Sequence, residues 1–233
     1  MDSLSIIIPC YNAEKFILKN LKFIIKKLNY LKIKYEIILI DDGSTDRTRD
    51  KILFFSKKNK RIKLIVNQKN QGKSFSIIKS LVFCRFRYVI FIDADLPYKN
   101  YFNKVIYNLG KYDLVFIDRN AKKSKLIDKR KTAYQKLRFF ISKIFRIIIN
   151  FFLRNDKIVD TQAGLKGFKN TEEFKKKVFY SKYFFFDVEL IAFFIKKKKK
   201  ILSIPVKYSI SSNSSIKLFS LKNFLLIYEL VKV

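Results

Sequence analysis

Apolar positions in the first half of the chain alternate between two patterns. Residues 4–8 form a short apolar run, and 13–28 follow with Phe16, Ile17, Leu21, Ile24, Ile25 and Leu28 at helical spacing. Residues 35–40 are a second run, apolar after Glu36, and 46–56 read as a helix. The order repeats with a strand at 62–66, a helix at 74–83 and a strand at 88–92. Short apolar runs predict strands, and longer stretches of 3.6-residue spacing predict helices. These strands lack a polar alternate face, as expected of a parallel sheet covered on both sides. The βα order therefore predicts an α/β fold, a doubly wound and mostly parallel sheet with helices on both faces. Ligands of such folds bind beyond the carboxyl ends of the strands, so the polar residues just after each run are where chemistry is expected.

After Asp118 the pattern changes. Residues 119–131 are a basic loop, and 132–154 are rich in Phe and Ile. At about 100° per residue, Lys129, Lys136, Lys143, Arg146, Asn150 and Arg154 fall on one narrow face. A narrow cationic stripe opposite a wide apolar face suits a core helix or an amphipathic helix in a lipid headgroup layer, and the second is the expectation here. A helix around 184–195, the lysine run 196–200, a strand at 201–208 and an apolar tail at 218–231 complete the chain.

A length of 233 residues suits one α/β domain. The formal net charge of +32 favours phosphate-bearing partners, whether nucleic acid, anionic lipid or phosphorylated substrate. Lys, Ile, Asn, Phe and Tyr are all plentiful, as a coding bias would also produce, so charge alone does not choose among them. The absence of histidine excludes Ser-His-Asp and Cys-His catalysis and imidazole metal ligands. Cys10 and Cys84 are too few for a disulfide framework or a cysteine zinc site, and a reducing cytosolic setting fits. No signal peptide and no spanning helix is predicted.

Four motifs stand just past successive strands. Asp93-Ala94-Asp95 follows 88–92. Two carboxylates crowded at the end of a buried strand repel unless a cation joins them, and a hard divalent ion completed by phosphate oxygens fits; a turn or helix cap is the plain alternative. Asp41-Asp42-Gly43-Ser44-Thr45-Asp46 follows 35–40. Gly43 there makes a turn, Ser44 or Thr45 caps the next helix, and the carboxylates are free to accept from a base or ribose hydroxyl. Pro9-Cys10-Tyr11-Asn12 offers an aromatic face to a nucleobase. Asn70-Gln71-Gly72-Lys73-Ser74 lacks the glycine five residues before Gly72 that a P-loop needs, because Asn67 stands there.

In this order and at these places, the motifs over roughly residues 4–118 resemble those of the family 2 glycosyltransferases. The resemblance implies a GT-A fold. It implies that Pro9, Tyr11, Asp41 and Asp42 hold a nucleotide, that Gly72 and Lys73 approach it, and that Asp93 and Asp95 hold Mg2+ or Mn2+ at the diphosphate. Asp160-Thr161-Gln162-Ala163-Gly164, Phe186-Asp187-Val188-Glu189-Leu190 and Ile204-Pro205-Val206 are similar to the polyprenyl-phosphate sugar transferases, nearest the dolichyl-phosphate β-glucosyltransferases. In that branch arginines at and after the fifth strand meet phosphates, and Arg119 and Arg130 occupy those places. Pro97, Ala13 and Ser74 depart from the branch's usual residues.

The implied reaction is inverting substitution at the anomeric carbon of a nucleotide diphosphate sugar. A polyprenyl phosphate acceptor is already ionised and needs no strong base. A saccharide hydroxyl would need one, and Asp187 or Glu189 is then the candidate, each equally explained by an ion pair with lysine. Residues 1–118 are expected to bind the donor and 119–233 the acceptor, within one domain. The enzyme is expected in the cytoplasm, peripheral on the inner face of an anionic membrane. A nucleic-acid-binding protein would explain the charge but leaves four aspartates at strand ends without a purpose.

Overall fold

The computed structural model describes residues 1–127, 147, 160–181 and 185–209. Arg130, most of the 119–131 loop after 127, the rest of the 132–154 helix and the 218–231 tail lie outside the described residues.

Seven strands form one sheet in the order β3-β2-β1-β4-β7-β5-β8. They are β1 (Ser3–Cys10), β2 (Lys34–Asp41), β3 (Ile62–Val66), β4 (Tyr88–Ile92), β5 (Leu114–Asp118), β7 (Leu165–Lys169) and β8 (Ile201–Pro205). The short β6 (Lys125–Leu126) pairs in parallel with β9 (Lys207–Tyr208) beside it. All neighbours in the large sheet run parallel except β7, which is antiparallel to both β4 and β5. That reversal brings the start of β7 to the same edge as the ends of β4 and β5.

Helices α1 (Ile17–Tyr30), α2 (Thr48–Lys57), α3 (Lys73–Leu81), α4 (Phe102–Leu109), α5 (Glu172–Lys175) and α6 (Phe186–Lys196) cover the sheet on both faces. α1 buries Ile17, Leu21, Ile24 and Leu28, one stripe of a 3.6-residue period. With Ile52 of α2 and Phe102, Val105 and Leu109 of α4 it packs on Leu4, Ile6 and Ile8 of β1 and Ile37 and Leu39 of β2. The opposite face packs Ile77 of α3 and Val188, Leu190 and Ile191 of α6 on Ile7, Ile38, Phe91, Phe116 and Phe168. Alternate residues of each strand thus serve two cores, which is why these strands read as unbroken apolar runs. Gly167 lets α4 close on β7, since a Cβ there would meet Leu109, Ile90 and Val105 side chains at 3.0–3.1 Å.

The cap expected after β2 takes another form. Ser44 Oγ accepts from Asn12 N (3.0 Å), and Thr45 N donates to Asn12 Oδ1 (2.9 Å), so both residues brace the loop after β1. The first turn of α2 is closed instead by Asp46 Oδ1, which accepts from Thr48 N (2.9 Å). Among the described residues no helix is long and apolar enough to cross a membrane.

Candidate active site

The motifs gather at one sheet edge, around the carboxyl ends of β1, β2, β4 and β5 and the start of β7. At the end of β1, Pro9 and buried Cys10 lead to Tyr11, a residue 49% exposed, and to Asn12, held at φ 50 by the Ser44 and Thr45 contacts. After β2, Asp41 is buried and accepts from Ser44 N (3.2 Å). Asp42 is also buried and its oxygens accept from Asn67 Nδ2 (2.8 Å), Gln71 N (3.0 Å) and Gly72 N (2.9 Å). Asp42 therefore shapes the loop that delivers Gly72 and Lys73. Two glycines permit this shape. Gly43 (φ 70) has the Lys69–Asn70 backbone so close that a Cβ would come within 2.5 Å of it, and Gly72 sits at φ 96.

Asp93 and Asp95 lie in a turn fixed from three sides. Leu96 N donates to Asp93 O (3.0 Å), Asn20 Nδ2 of α1 donates to Ala94 O (2.7 Å), and Asp93 N donates to Gly164 O (2.9 Å). The Asp93 carboxylate rests on Gly164, where a Cβ would lie 1.8 Å from Oδ2. Lys73 Nζ reaches Asp93 Oδ1 at 2.7 Å. Burial and the neighbouring Asp93 charge push the Asp95 carboxyl above its ordinary value. Two carboxylates that repel at a strand end are a donor set suited to a hard divalent cation. Among the described residues no third Asp, Glu or Cys joins them, so Asp93 and Asp95 are the protein groups that would hold such an ion, with phosphate oxygens supplying other positions.

Arg119, at the end of β5, is bound by Asp160 through a fork. Its Nε and Nη2 donate to the two carboxylate oxygens, the latter at 2.8 Å, and its backbone N donates at 3.2 Å. Burial alone would raise the Asp160 carboxyl, but the Arg119 guanidinium outweighs it and holds the group below the usual carboxylate range. Ser74, one of the departures noted in the sequence, accepts from Phe186 N (3.0 Å) and so ties α3 to the first turn of α6.

The two carboxylates offered by the sequence as bases are both in ion pairs. Glu189 accepts from Lys177 Nζ (2.9 Å), Tyr180 N (3.0 Å), Ser181 N (2.6 Å) and Ser181 Oγ (2.7 Å), and it organises the 177–181 loop. Asp187 is buried at 2.6 Å from Lys166 Nζ, which also donates to Ala163 O at 2.6 Å. Lys166 is a residue that sequence reasoning missed. It stands in β7, between β4 and β5, wholly buried, with its ammonium 5.0 Å from the centre of the Phe91 ring. Burial lowers it below the ordinary lysine value, against the pull of Asp187. Asp160, Gly164 and Asn67 were also given no role by sequence reasoning. Only the Asp160–Gly164 stretch carried a signal, as a motif without assigned chemistry.

The family model for glycosyl transferase family 2 matches residues 5–171. The chain belongs to glycosyl transferase family 2. A dolichyl-phosphate β-glucosyltransferase of Dictyostelium discoideum is 30% identical over 93% of this chain and 69% of its own length. A UDP-Glc:α-D-GlcNAc-diphosphoundecaprenol β-1,3-glucosyltransferase of Escherichia coli is 30% identical over 57% of this chain and 54% of its own. Glucosyl-3-phosphoglycerate synthase of Mycobacterium tuberculosis, solved with Mn2+, UDP-glucose and phosphoglyceric acid, superposes with a TM-score of 0.68. It covers 99% of this chain and 79% of that one at 16% identity. The fold of this family 2 member is GT-A, a mostly parallel seven-stranded sheet with helices around it.

Proposed function

We propose that the chain transfers a hexose, with inversion, from a nucleoside diphosphate sugar to a polyprenyl phosphate at a membrane surface. The observation that carries this reading is the sharing of one sheet edge by an acidic pair, Lys73 and a fixed arginine, in a relative of dolichyl-phosphate β-glucosyltransferases. In the reaction an acceptor phosphate oxygen forms a bond to the anomeric carbon as the bond from that carbon to the diphosphate oxygen breaks. The nucleoside diphosphate leaves. Tyr11 presents its ring to the base. A divalent cation, Mg2+ or Mn2+, held by Asp93 and Asp95 supplies charge neutralisation of the diphosphate when bound. Lys73 favours the same anion. Arg119, fixed by Asp160, and Arg130 of the following loop bring the acceptor phosphate alongside. No base is demanded of the protein, which accords with Asp187 and Glu189 both being held in ion pairs.

On this reading residues 1–118 bind the donor and 119–233 the acceptor. The 132–154 segment lies peripherally on the cytoplasmic face of an anionic membrane. The decisive assay incubates the purified chain with UDP- and GDP-hexoses and vesicles containing polyprenyl phosphate, with Mg2+, Mn2+ or chelator. Sugar should move to the lipid only with metal, and Asp95→Ala should lose about 1000-fold. Full activity of Asp95→Ala in chelator would remove the metal role. Sugar transfer to free saccharide and never to lipid phosphate would move the enzyme to the second reading, a saccharide-acceptor transferase with Asp187 or Glu189 as base. The Escherichia coli relative supports that alternative over its shorter alignment.

A further inference from the structure

We propose that Lys73 is a built-in counter-ion that occupies Asp93 until a divalent cation displaces it, and then moves to the diphosphate, so that cation and nucleotide bind synergistically. This rests on the reading of Asp93 and Asp95 as cation ligands and adds a coupling mechanism to it.

The position of Lys73 is the first argument. It is the first residue of α3, after Gly72 as N-cap, and α3 has no acidic residue in its first turn. A helix amino end carries partial positive charge, so an ammonium there gains nothing from its own helix. The carboxylate of Asp93 holds it at 2.7 Å, and the charges of Asp187 and Asp95 add to the attraction.

The second argument is which partner moves. Asp93 is bonded through its backbone to Gly164 O, and its carboxylate lies where even a Cβ on Gly164 would not fit. The Asp93 backbone is thus fixed, and Gly164 bounds its carboxylate on one side. Lys73 has a flexible four-carbon stem, and the two side chains keep 27% and 31% exposure, so the ammonium is free to leave toward solvent or ligand.

The third argument is where it goes. The N–H groups of Gln71 and Gly72, which would otherwise face an anion at this helix end, are already taken by Asp42. Lys73, the first residue of α3, is a side-chain cation within reach of a diphosphate at that end. A cation binding alone must expel an ammonium from Asp93. With a diphosphate present, that ammonium gains a new partner, so each ligand tightens the other by the same factor.

The test measures Mn2+ binding by electron paramagnetic resonance, without turnover, in wild type, Lys73→Met and Asp95→Ala. It is repeated with UDP or GDP, whichever binds the wild-type protein. Lys73→Met should bind Mn2+ alone about three- to tenfold more tightly than wild type. It should bind the nucleotide more weakly, and the factor by which nucleotide tightens Mn2+ should fall clearly below the wild-type factor, what remains coming from direct contact between ion and phosphate. Mn2+ binding to Lys73→Met that is unchanged, weaker or undetectable, with Asp95→Ala still losing the ion, overturns the counter-ion role and leaves the cation site standing. Wild-type Mn2+ affinity in Asp95→Ala would overturn the cation site and the counter-ion role together. Lys73→Gln, uncharged but polar, gives the same comparison should the methionine variant not fold.

Discussion

The two halves of the site edge hold their carboxylates in different ways. On the β1–β2 side, Asp41, Asp42 and Asp46 accept mainly from backbone N–H groups, of Ser44, of Gln71 and Gly72, and of Thr48 and Glu14. On the β4–β7–β5 side, Asp93, Asp187 and Asp160 face side-chain cations, Lys73, Lys166 and Arg119. A backbone N–H cannot leave, so the first set builds loops of fixed shape. A side-chain cation can be exchanged for a ligand where solvent reaches it, and becomes a structural rivet where solvent does not. The exposures sort the pairs: Lys73 and Asp93 are partly open, whereas Lys166 and Asp187 are closed.

The strongest way to break this distinction is to remove one member of the closed pair. Lys166→Met leaves the Asp187 carboxylate buried without its cation, and the expected loss of folding stability is about 3–5 kcal/mol. The double variant Lys166→Met/Asp187→Leu should recover most of that loss, because a buried pair replaced by apolar groups is close to neutral. Urea denaturation of the two variants decides the matter. Equal losses in both would mean that Lys166 stabilises through its bond to Ala163 O and not through Asp187.

Next in size is the backbone-satisfied set. Asp42→Ala leaves Gln71 N and Gly72 N without their acceptor and Asn67 Nδ2 with Ser76 Oγ alone, and should cost about 2–3 kcal/mol in the nucleotide-free protein. An unchanged urea midpoint would show that Asp42 does not hold this loop and would return it to direct nucleotide contact.

The sequence shows more of the first side than of the second, for a physical reason. The elements from β1 to β4 are local patterns, and each falls within a few residues of its apolar run, whereas α4 and β5 are not read from the pattern. Asp41 and Asp42, and Asp93 and Asp95, are visible because each pair stands at the end of one strand. The partners are less visible. Asp160 meets Arg119 from 41 residues away, and Lys166 sits in Leu-Lys-Gly-Phe-Lys, a stretch whose lysines read as surface. Only the antiparallel insertion of β7 between β4 and β5 buries one of them. Ser44 and Thr45 misled for the opposite reason. Their cap propensity is real, but Asn12 of the adjacent loop competes for them and Asp46 takes over the helix.

The Arg119–Asp160 fork lies between the two extremes, with a buried acid and a partly exposed base. The Asp160 carboxyl is held below its unfolded value by Arg119. Its contribution is therefore present above the ordinary carboxylate pKa and is lost as pH falls through the lower folded value. Arg119→Met should cost about 2 kcal/mol near neutral pH, and the variant's acid-unfolding midpoint should move to higher pH. Identical acid midpoints in wild type and variant would mean that the fork does not contribute to stability.

The smallest expected effect falls on Tyr11, which belongs to the rigid side but touches no ion. Its backbone is fixed, because the next residue is pinned by Ser44 and Thr45, while the residue is half exposed at the end of β1. An exposed ring on a fixed backbone has lost little conformational freedom to the fold and has an open face. Removing it should leave stability within about 0.5 kcal/mol of wild type. If the face stacks on the donor's base, Tyr11→Ala should raise the donor KM about five- to tenfold, equivalent to about 1–1.4 kcal/mol, with kcat unchanged. The uniform loss follows because the base sits far from the breaking bond and contributes equally before and during transfer. Tyr11→Phe keeps the ring and should behave as wild type. A donor KM unmoved by Tyr11→Ala would place the base elsewhere along the edge. A fall in kcat without a change in KM would mean that the ring orders the Asn12 loop against α2 instead of meeting the donor.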